Sequence, residues 1–353
     1  MMKQTSIALI GAGPLGIELA VGLRQAGLDY VHLEAGQVGS TMQWWAPHTR
    51  WFSSNERISI AGVPLVTAHQ EKATREEYLA YLRSVVEQFG LAIETYRMAT
   101  RIEPDPSGGF RISTRSALDI GGAEEVLHAR KVILATGGTA TPNRLDIPGE
   151  DLPHVSHYFR DPHTYFQKNL LIVGGRNSAV EAALRCFRAG ARVHFSYRGA
   201  GVDARDIKYW LYPEFSGLVK AGKIQGHLGT CPAEITPQGV RLIPSGALAG
   251  VEEGVLPIDF VLLLTGYLAD MSLPRMAGVA LSGDQLLPAF NPETMETNVP
   301  GIYIAGTAIA GTQRRYRVFL ENCHVHVAKI VAHLQGRAAP ASGPVAVFER
   351  PES

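Results

Sequence analysis

The sequence predicts an α/β protein built from two similar three-layer (β/β/α) domains, one inserted in the other. Three observations carry this. The stretch "IALIGAGPLGIELAVGLRQAGLDYVHLEA", residues 7–35, reads as strand, glycine turn, helix, strand. "LLIVGGRNSAVEAALRCFRAGARVHFSYRG", residues 170–199, repeats that layout. The chain holds 353 residues, too many for one ordinary core and about right for two. Both repeats are βαβ units of the Rossmann type, so each half is expected to hold a dinucleotide. The expected boundaries are 1–152 with 285–353 for a discontinuous first domain and 153–284 for the inserted one.

Taken in order, the apolar run Ile7–Ile10 is too short for a membrane span and runs straight into glycines, so it is a buried first strand and not a signal peptide. Gly11 permits the tight turn, Gly13 lets backbone approach a pyrophosphate, and Gly16 allows helix to pack closely on strand. The helix that follows presents unpaired N–H groups and a positive dipole end to phosphate. It ends at Ala26-Gly27, as its counterpart ends at Ala189-Gly190. Glu34 closes the second strand, 23 positions after Gly11. A carboxylate there accepts both hydroxyls of an adenosine ribose and repels a 2′-phosphate.

A helix is expected over 72–90, with Tyr78, Leu82, Val85, Val86 and Phe89 on one face. Short strands follow near Ala92–Met98 and Phe110–Thr114, then a buried strand and turn in "KVILATGG", 131–138. "TPNRLDIPGEDLP" reads as an interdomain linker. In the second βαβ unit Gly174 and Gly175 precede Arg176, Asn177, Ser178 and Ala179; Ala179 replaces the third glycine and Arg176 stands at the second. The Arg176 guanidinium suits a phosphate. Arg198 lies 24 positions after Gly174, where an acid would select a ribose diol; an arginine selects a 2′-phosphate and therefore NADPH. Two more strand-and-turn stretches, "DFVLLLTGY" and "GIYIAGT", precede a helical end and an Ala/Pro/Gly tail from 338 that is expected to fray.

Lys+Arg and Asp+Glu are both 33, so no net charge or basic stripe points to nucleic acid or a membrane surface. The three cysteines, Cys186, Cys231 and Cys323, form neither CxxC nor zinc spacing, no metal ligands are assigned, and the cytoplasm is the expected compartment. One site preferring a ribose diol and one preferring a 2′-phosphate imply FAD in the first domain and NADPH in the second.

"GAGPLG", "ATGG" and "ETNVPGIYIAG" together resemble the two-dinucleotide-domain flavoproteins of the thioredoxin-reductase-like branch. "HTRWFSSNERISIAGVP", "HYFRDPHTYF", "IVGGRNSAVEAAL", "IKYWLYPEF" and "FLENCHVH" extend over nearly the whole chain and resemble the bacillithiol disulfide reductases, also called bacilliredoxin reductases. The resemblance implies an FAD- and NADPH-dependent enzyme that reduces a low-molecular-weight disulfide, bacillithiol disulfide first, or a mixed-disulfide protein, and that assembles with copies of itself. It implies no CxxC pair, and "HYFRD" fills the stretch where that pair would lie. The FAD site then comprises Gly11, Gly13, Pro14, Leu15, Gly16, Glu34, Ala35, Gln43, Ala135, Thr136, Gly137, Gly306 and Thr307. The NADPH site comprises Gly174, Gly175, Arg176, Asn177, Ser178, Ala179, Tyr197 and Arg198.

Two departures stand out. Thr307 replaces the usual aspartate after the last glycine, and Leu15 replaces the cysteine of the relatives' GGGPCG. Leucine forms no mixed disulfide, so Cys323 is the candidate substitute thiol, acidified by His326 or a helix end. Alternatives keep the fold and change the acceptor to a quinone, a protein or oxygen, or make the protein a redox sensor. A flavin monooxygenase is disfavoured because only His163 of FxGxxxHxxxY aligns. The aromatics Trp44, Trp45, Trp51 and Phe52 are expected beside the flavin, and Asp206, Lys208 and Trp210 on an acceptor surface.

Overall fold

The computed structural model describes residues 3–119, 121–246 and 254–338. The chain divides into two compact units. Among the described residues, one comprises 3–43, 48–119, 121–141 and 267–338; the other comprises 44–47, 142–246 and 254–266.

The first unit is built on β1 (Lys3–Ile10), β2 (Tyr30–Leu33), β3 (Ile93–Glu94), β4 (Arg97–Pro104), β5 (Phe110–Ser116) and β6 (Glu125–Leu134). Their order is β3-β2-β1-β6-β5-β4, with Ile302–Ile304 joining β6 as a seventh strand. β3, β2, β1, β6 and Ile302–Ile304 run parallel. β5 pairs antiparallel to the first half of β6 and Ile302–Ile304 parallel to its second half. The second half of β1, Ile7–Ile10, is an unbroken apolar run and fully buried, as a strand covered on both faces should be.

Helix α1 (Pro14–Gln25) covers one face through Leu15, Ile17, Leu19, Ala20, Val21 and Leu23. Leu9, Ile17, Leu19 and Leu23 are fully enclosed. Each such side chain stabilises by about 1.5–3 kcal/mol. Gly22 lets α1 press against Val327 of the terminal helix His324–Leu334: a Cβ there would lie 2.9 Å from Cγ1. The helix expected over 72–90 is shorter, Arg75–Gln88. Thr74 sets its start, since Thr74 and Glu77 form a reciprocal capping box. Tyr78, Leu82 and Val85 are buried as expected, whereas Val86 and Phe89 are half-exposed.

The second unit holds a parallel sheet ordered Gln225–Leu228, Arg192–Tyr197, Asn169–Val173, Phe260–Leu263, Val155–Ser156. Its helix Asn177–Arg188 buries Ala179, Val180, Ala182, Ala183, Leu184 and Cys186. Thr230–Thr236, Gly239–Pro244 and Val255–Leu256 add a small antiparallel sheet that the sequence pattern had not announced. Both βαβ helices end as read, on Ala26 and Ala189 followed by left-handed Gly27 and Gly190.

The unit boundaries differ from the expected ones. Residues 142–152 are not a free linker: Leu145, Ile147 and Leu152 pack on Ile235 and Val240, and Ile235 donates to the Pro148 carbonyl at 2.9 Å. Residues 267–284 belong with the first unit, because Met271, Ala277 and Val279 enter its core with Ile302 and Ile304. From 339 on, the tail lies outside the described residues.

Candidate functional site

In an open parallel sheet ligands bind at the carboxyl ends of the strands, where the chain order reverses. In the first unit that point is β1, with β2 on one side and β6 on the other. The four segments singled out by sequence follow four neighbouring strands there: Gly11–Gly16 after β1, Glu34 after β2, Ala135–Gly137 after β6 and Gly306–Thr307 after Ile302–Ile304. Backbone bonds lock the row: Gly11 N–H to Leu33 O at 2.8 Å, Ala135 N–H to Ile10 O at 2.8 Å, Ala305 N–H to Leu134 O at 2.9 Å.

The three glycines have three different constraints. Gly11 has φ +105°, and a Cβ there would lie 2.5 Å from the Ala135 carbonyl oxygen. At Gly16 it would lie 1.9 Å from the Gly11 oxygen. At Gly13 it would meet nothing within 4 Å. Protein packing therefore explains Gly11 and Gly16 but not Gly13, whose missing side chain leaves open space beside the start of α1. No side chain caps α1, so its first N–H groups face that space. The Thr136 hydroxyl is buried with no partner among the described residues. An uncapped helix start, an open glycine and an orphaned hydroxyl fit a pyrophosphate-bearing cofactor.

Glu34 is buried and already bonded. Its Oε2 accepts from Ala12 N–H at 2.6 Å, and Oε1 accepts from Gly36 N–H at 2.7 Å and Ser40 Oγ at 3.1 Å. It braces the glycine loop from the carboxyl end of β2. His32 is a brace the sequence reading missed: burial pushes its pKa down to about 4, so the neutral ring donates from Nε2 to Gly11 O at 2.9 Å. Thr307 Oγ1 accepts the Gly138 N–H at 2.9 Å. Leu15 is buried, and its Cδ2 would lie 3.0 Å from a Cβ at Gly306. Pro14 opens α1, whereas Ala35 and Gln43 are exposed at the rim.

The second unit repeats the device. Gly174 has φ +148°, and a Cβ there would lie 2.4 Å from the Leu264 carbonyl oxygen, as Gly11 faces Ala135. Ala179 is buried at the third-glycine position. Gly175 has a role sequence did not reveal: a Cβ there would lie 2.2 Å from the Tyr197 ring. Arg176 and Ser178 are exposed at the start of the helix, and Asn177 Oδ1 accepts the Lys208 N–H at 2.6 Å. Arg198 is exposed at the adjacent strand end.

Other expected residues lie elsewhere. Cys323 is fully buried, and burial followed by the Glu18 carboxylate pushes its thiol up to about 12. The expected acidification is therefore corrected: the thiol is raised, not lowered. His326 supplies no positive charge: burial lowers it to about 4, and its Nδ1 accepts from Gly306 N–H at 3.1 Å. Cys186 is buried and likewise raised to about 12. Trp44 packs edge-on to Tyr158 in the second unit, while Trp51 lies 4.5 Å from Tyr78 in the first. Lys208 is buried on Glu181 at 3.0 Å, so it offers no open acceptor surface with Asp206 and Trp210.

Among the described residues no helix is long and apolar enough to cross a membrane. A family model described as pyridine nucleotide-disulphide oxidoreductase matches residues 8–306. Over 338 residues the chain is 36% identical to the bacilliredoxin reductase Bdr of Bacillus subtilis (strain 168), spanning 95% of this chain and 99% of that one. The bacillithiol disulfide reductase Bdr (YpdA) from Bacillus cereus matches in structure with TM-score 0.87 and 32% identity, over 95% of this chain and 99% of that one. A ferredoxin–NADP reductase of Ignicoccus hospitalis is 26% identical over 87% of this chain and 90% of its own length.

Proposed function

Because this chain belongs to the pyridine nucleotide-disulphide oxidoreductases, in the bacilliredoxin reductase branch, it is an FAD- and NAD(P)H-dependent oxidoreductase, and we propose that it reduces a low-molecular-weight disulfide, bacillithiol disulfide first, with electrons from NADPH. The balance is NADPH + H⁺ + RSSR → NADP⁺ + 2 RSH. The observation that carries the reading is the pair of glycine cradles, one flanked by a buried acid, Glu34, and the other by an exposed base, Arg198. FAD, when bound, supplies the two-electron relay between nicotinamide and disulfide.

The residues of the chain bind and orient. In the first unit the N–H groups at the start of α1 take the pyrophosphate, Gly13 leaves room for it, and the Thr136 hydroxyl completes the contact. Glu34 keeps the loop in place and presents carboxylate to the ribose. In the second unit Arg176 and Arg198 take the phosphates of NADPH. No thiol of the protein takes part in this reading: Leu15 fills the relatives' cysteine position, and Cys323 is buried and protonated. The compartment that fits a thiol–disulfide substrate of this kind is the cytoplasm.

Arg198→Ala is expected to raise the Kd for NADPH roughly tenfold to a hundredfold, the value of one charge-assisted hydrogen bond, and to leave NADH nearly unchanged. Titration of both nucleotides checks it, and equal losses would remove the 2′-phosphate role.

The function itself is tested by reducing the flavoprotein anaerobically with NADPH and offering acceptors in turn. Bacillithiol disulfide is expected to reoxidise it, and the rate is expected to survive Cys323→Ser. Loss in that variant would restore Cys323 as the working thiol. Indifference to every disulfide, with turnover on a protein acceptor, would favour the second reading, an electron-transfer reductase; the absence of a thiol at Leu15 is what keeps that reading alive.

A further inference from the structure

One polar cluster in the first unit is used by neither cradle. His324, at the start of the terminal helix, bonds through both ring nitrogens. Nδ1 lies 2.7 Å from Glu18 Oε2, and Nε2 lies 2.9 Å from the Arg57 carbonyl oxygen. A carbonyl oxygen only accepts, so Nε2 carries a proton. The second Glu18 oxygen accepts from Ala61 N–H at 3.2 Å. A carboxylate also only accepts, so Nδ1 carries a proton too. The ring is an imidazolium by the chemistry of its partners.

The cluster has a definite topology. Glu18 lies in the second turn of α1, the helix that opens on the glycine loop. Arg57 and Ala61 bracket a five-residue segment whose Ile58 and Ile60 are fully buried. His324 thus holds one end of the segment and Glu18 the other, while each holds the other. The left-handed Ala61, φ +54°, gives the segment a conformation its sequence does not favour, so it needs anchoring.

We propose that His324 is a positioning residue: as a doubly protonated ring it latches the segment Arg57–Ala61 to α1 and the terminal helix, and loss of one proton opens the latch. A neutral imidazole donates from one nitrogen only. It must then abandon either the Arg57 carbonyl or Glu18, and it turns a lone pair toward whichever it abandons.

The surroundings define the pH response. From α1 comes Glu18, and from the short helix Asn55–Ile58 comes Arg57. Helix Arg75–Gln88 contributes Tyr78 and Tyr81; their hydroxyls bond the Ile58 carbonyl at 2.8 Å and the Val63 carbonyl at 2.6 Å. The turn Leu320–Asn322 contributes Glu321, whose buried Oε2 has no partner among the described residues, and Cys323 follows the turn. The terminal helix contributes His326, which is neutral, and Lys329, which donates to the Pro292 carbonyl at 2.7 Å. Burial alone would lower His324, but hydrogen bonding to Glu18, its charge and the Arg57 carbonyl outweigh that and leave it raised. A raised folded value means the latch is complete below the ordinary histidine pKa of about 6.5 and is lost as pH rises through the folded value.

The test reads the ring and the segment separately in the full-length flavoprotein. Nitrogen-15 NMR of the histidine rings is expected to show both His324 nitrogens protonated near pH 6.5. Hydrogen exchange at residues 58–61, corrected for intrinsic rate, is expected to accelerate roughly tenfold to a hundredfold as that ring titrates, the factor for one charge-assisted bond. Glu18→Gln is expected to move both midpoints to lower pH together, which loss of packing alone would not do. A singly protonated His324 near pH 6.5, or exchange that stays flat through its titration, overturns the proposal. If Glu18→Gln does not fold, the wild-type titration decides alone.

Discussion

Alanine at Gly13 is expected to leave a folded protein that holds FAD poorly, whereas alanine at Gly16 is expected to destroy the first unit outright. The added methyl at Gly13 enters open space, and the residue's φ of −72° suits alanine. Stability should move by less than about 1 kcal/mol. The same methyl occupies the space that backbone must leave for the pyrophosphate. Overfilling of that kind costs about 1–3 kcal/mol, or roughly tenfold to a hundredfold in FAD affinity. At Gly16 the methyl would stand 1.9 Å from the Gly11 carbonyl oxygen, which belongs to backbone and cannot swing away. A loss of about 3 kcal/mol or more is expected there. Thermal unfolding together with the flavin-to-protein absorbance ratio separates the two. A Gly13→Ala protein that keeps full flavin would show that the open space is not the cofactor's.

Glu34→Gln is expected to cost about 2–3 kcal/mol of stability, although it removes only a charge and exchanges one oxygen for an amide. Glu34 is only 7% exposed and accepts three hydrogen bonds from Ala12, Gly36 and Ser40. An amide presents an NH₂ to one of those donors, and a buried N–H without an acceptor costs about 1–3 kcal/mol beyond the lost charge-assisted bond. The readout is the urea midpoint of the apoprotein, so the effect is seen without the ribose. A midpoint unchanged from wild type would mean that the loop holds its shape without the carboxylate.

Local pattern made much of the fold legible. Both βαβ units follow from glycine spacing, apolar runs and Ala-Gly helix ends, and those depend on neighbours in the chain. Glu34 and Arg198 stand at the carboxyl ends of their strands, as the strand lengths predict. What was missed depends on partners far away in sequence. Thr307 meets Gly138 across 169 positions, and His324 meets Glu18 across 306. No periodicity reports such pairs. Cys323 shows the same limit from the other side. Its neighbours in sequence, two histidines and a helix start, suggested an acidified thiol, but the fold buries it completely and that burial raises it. The Pro-rich run at 142–152 looked like a linker because Pro and Gly mark turns, yet its Leu and Ile find a core.

The burial of two cysteines has a bearing on survival under oxidative stress. Reaction with peroxide or a foreign disulfide needs the thiolate. Burial holds the Cys186 and Cys323 thiols well above the usual range, which keeps them in the unreactive protonated form at neutral pH. An enzyme whose proposed work begins when the thiol pool is oxidised would be disabled by its own load if it carried exposed, acidified cysteines. On the proposed reading, chemistry held on a replaceable cofactor with two sulfurs out of reach would let the catalyst outlast an oxidised thiol pool, with half-exposed Cys231 as the one thiol open to damage among the three.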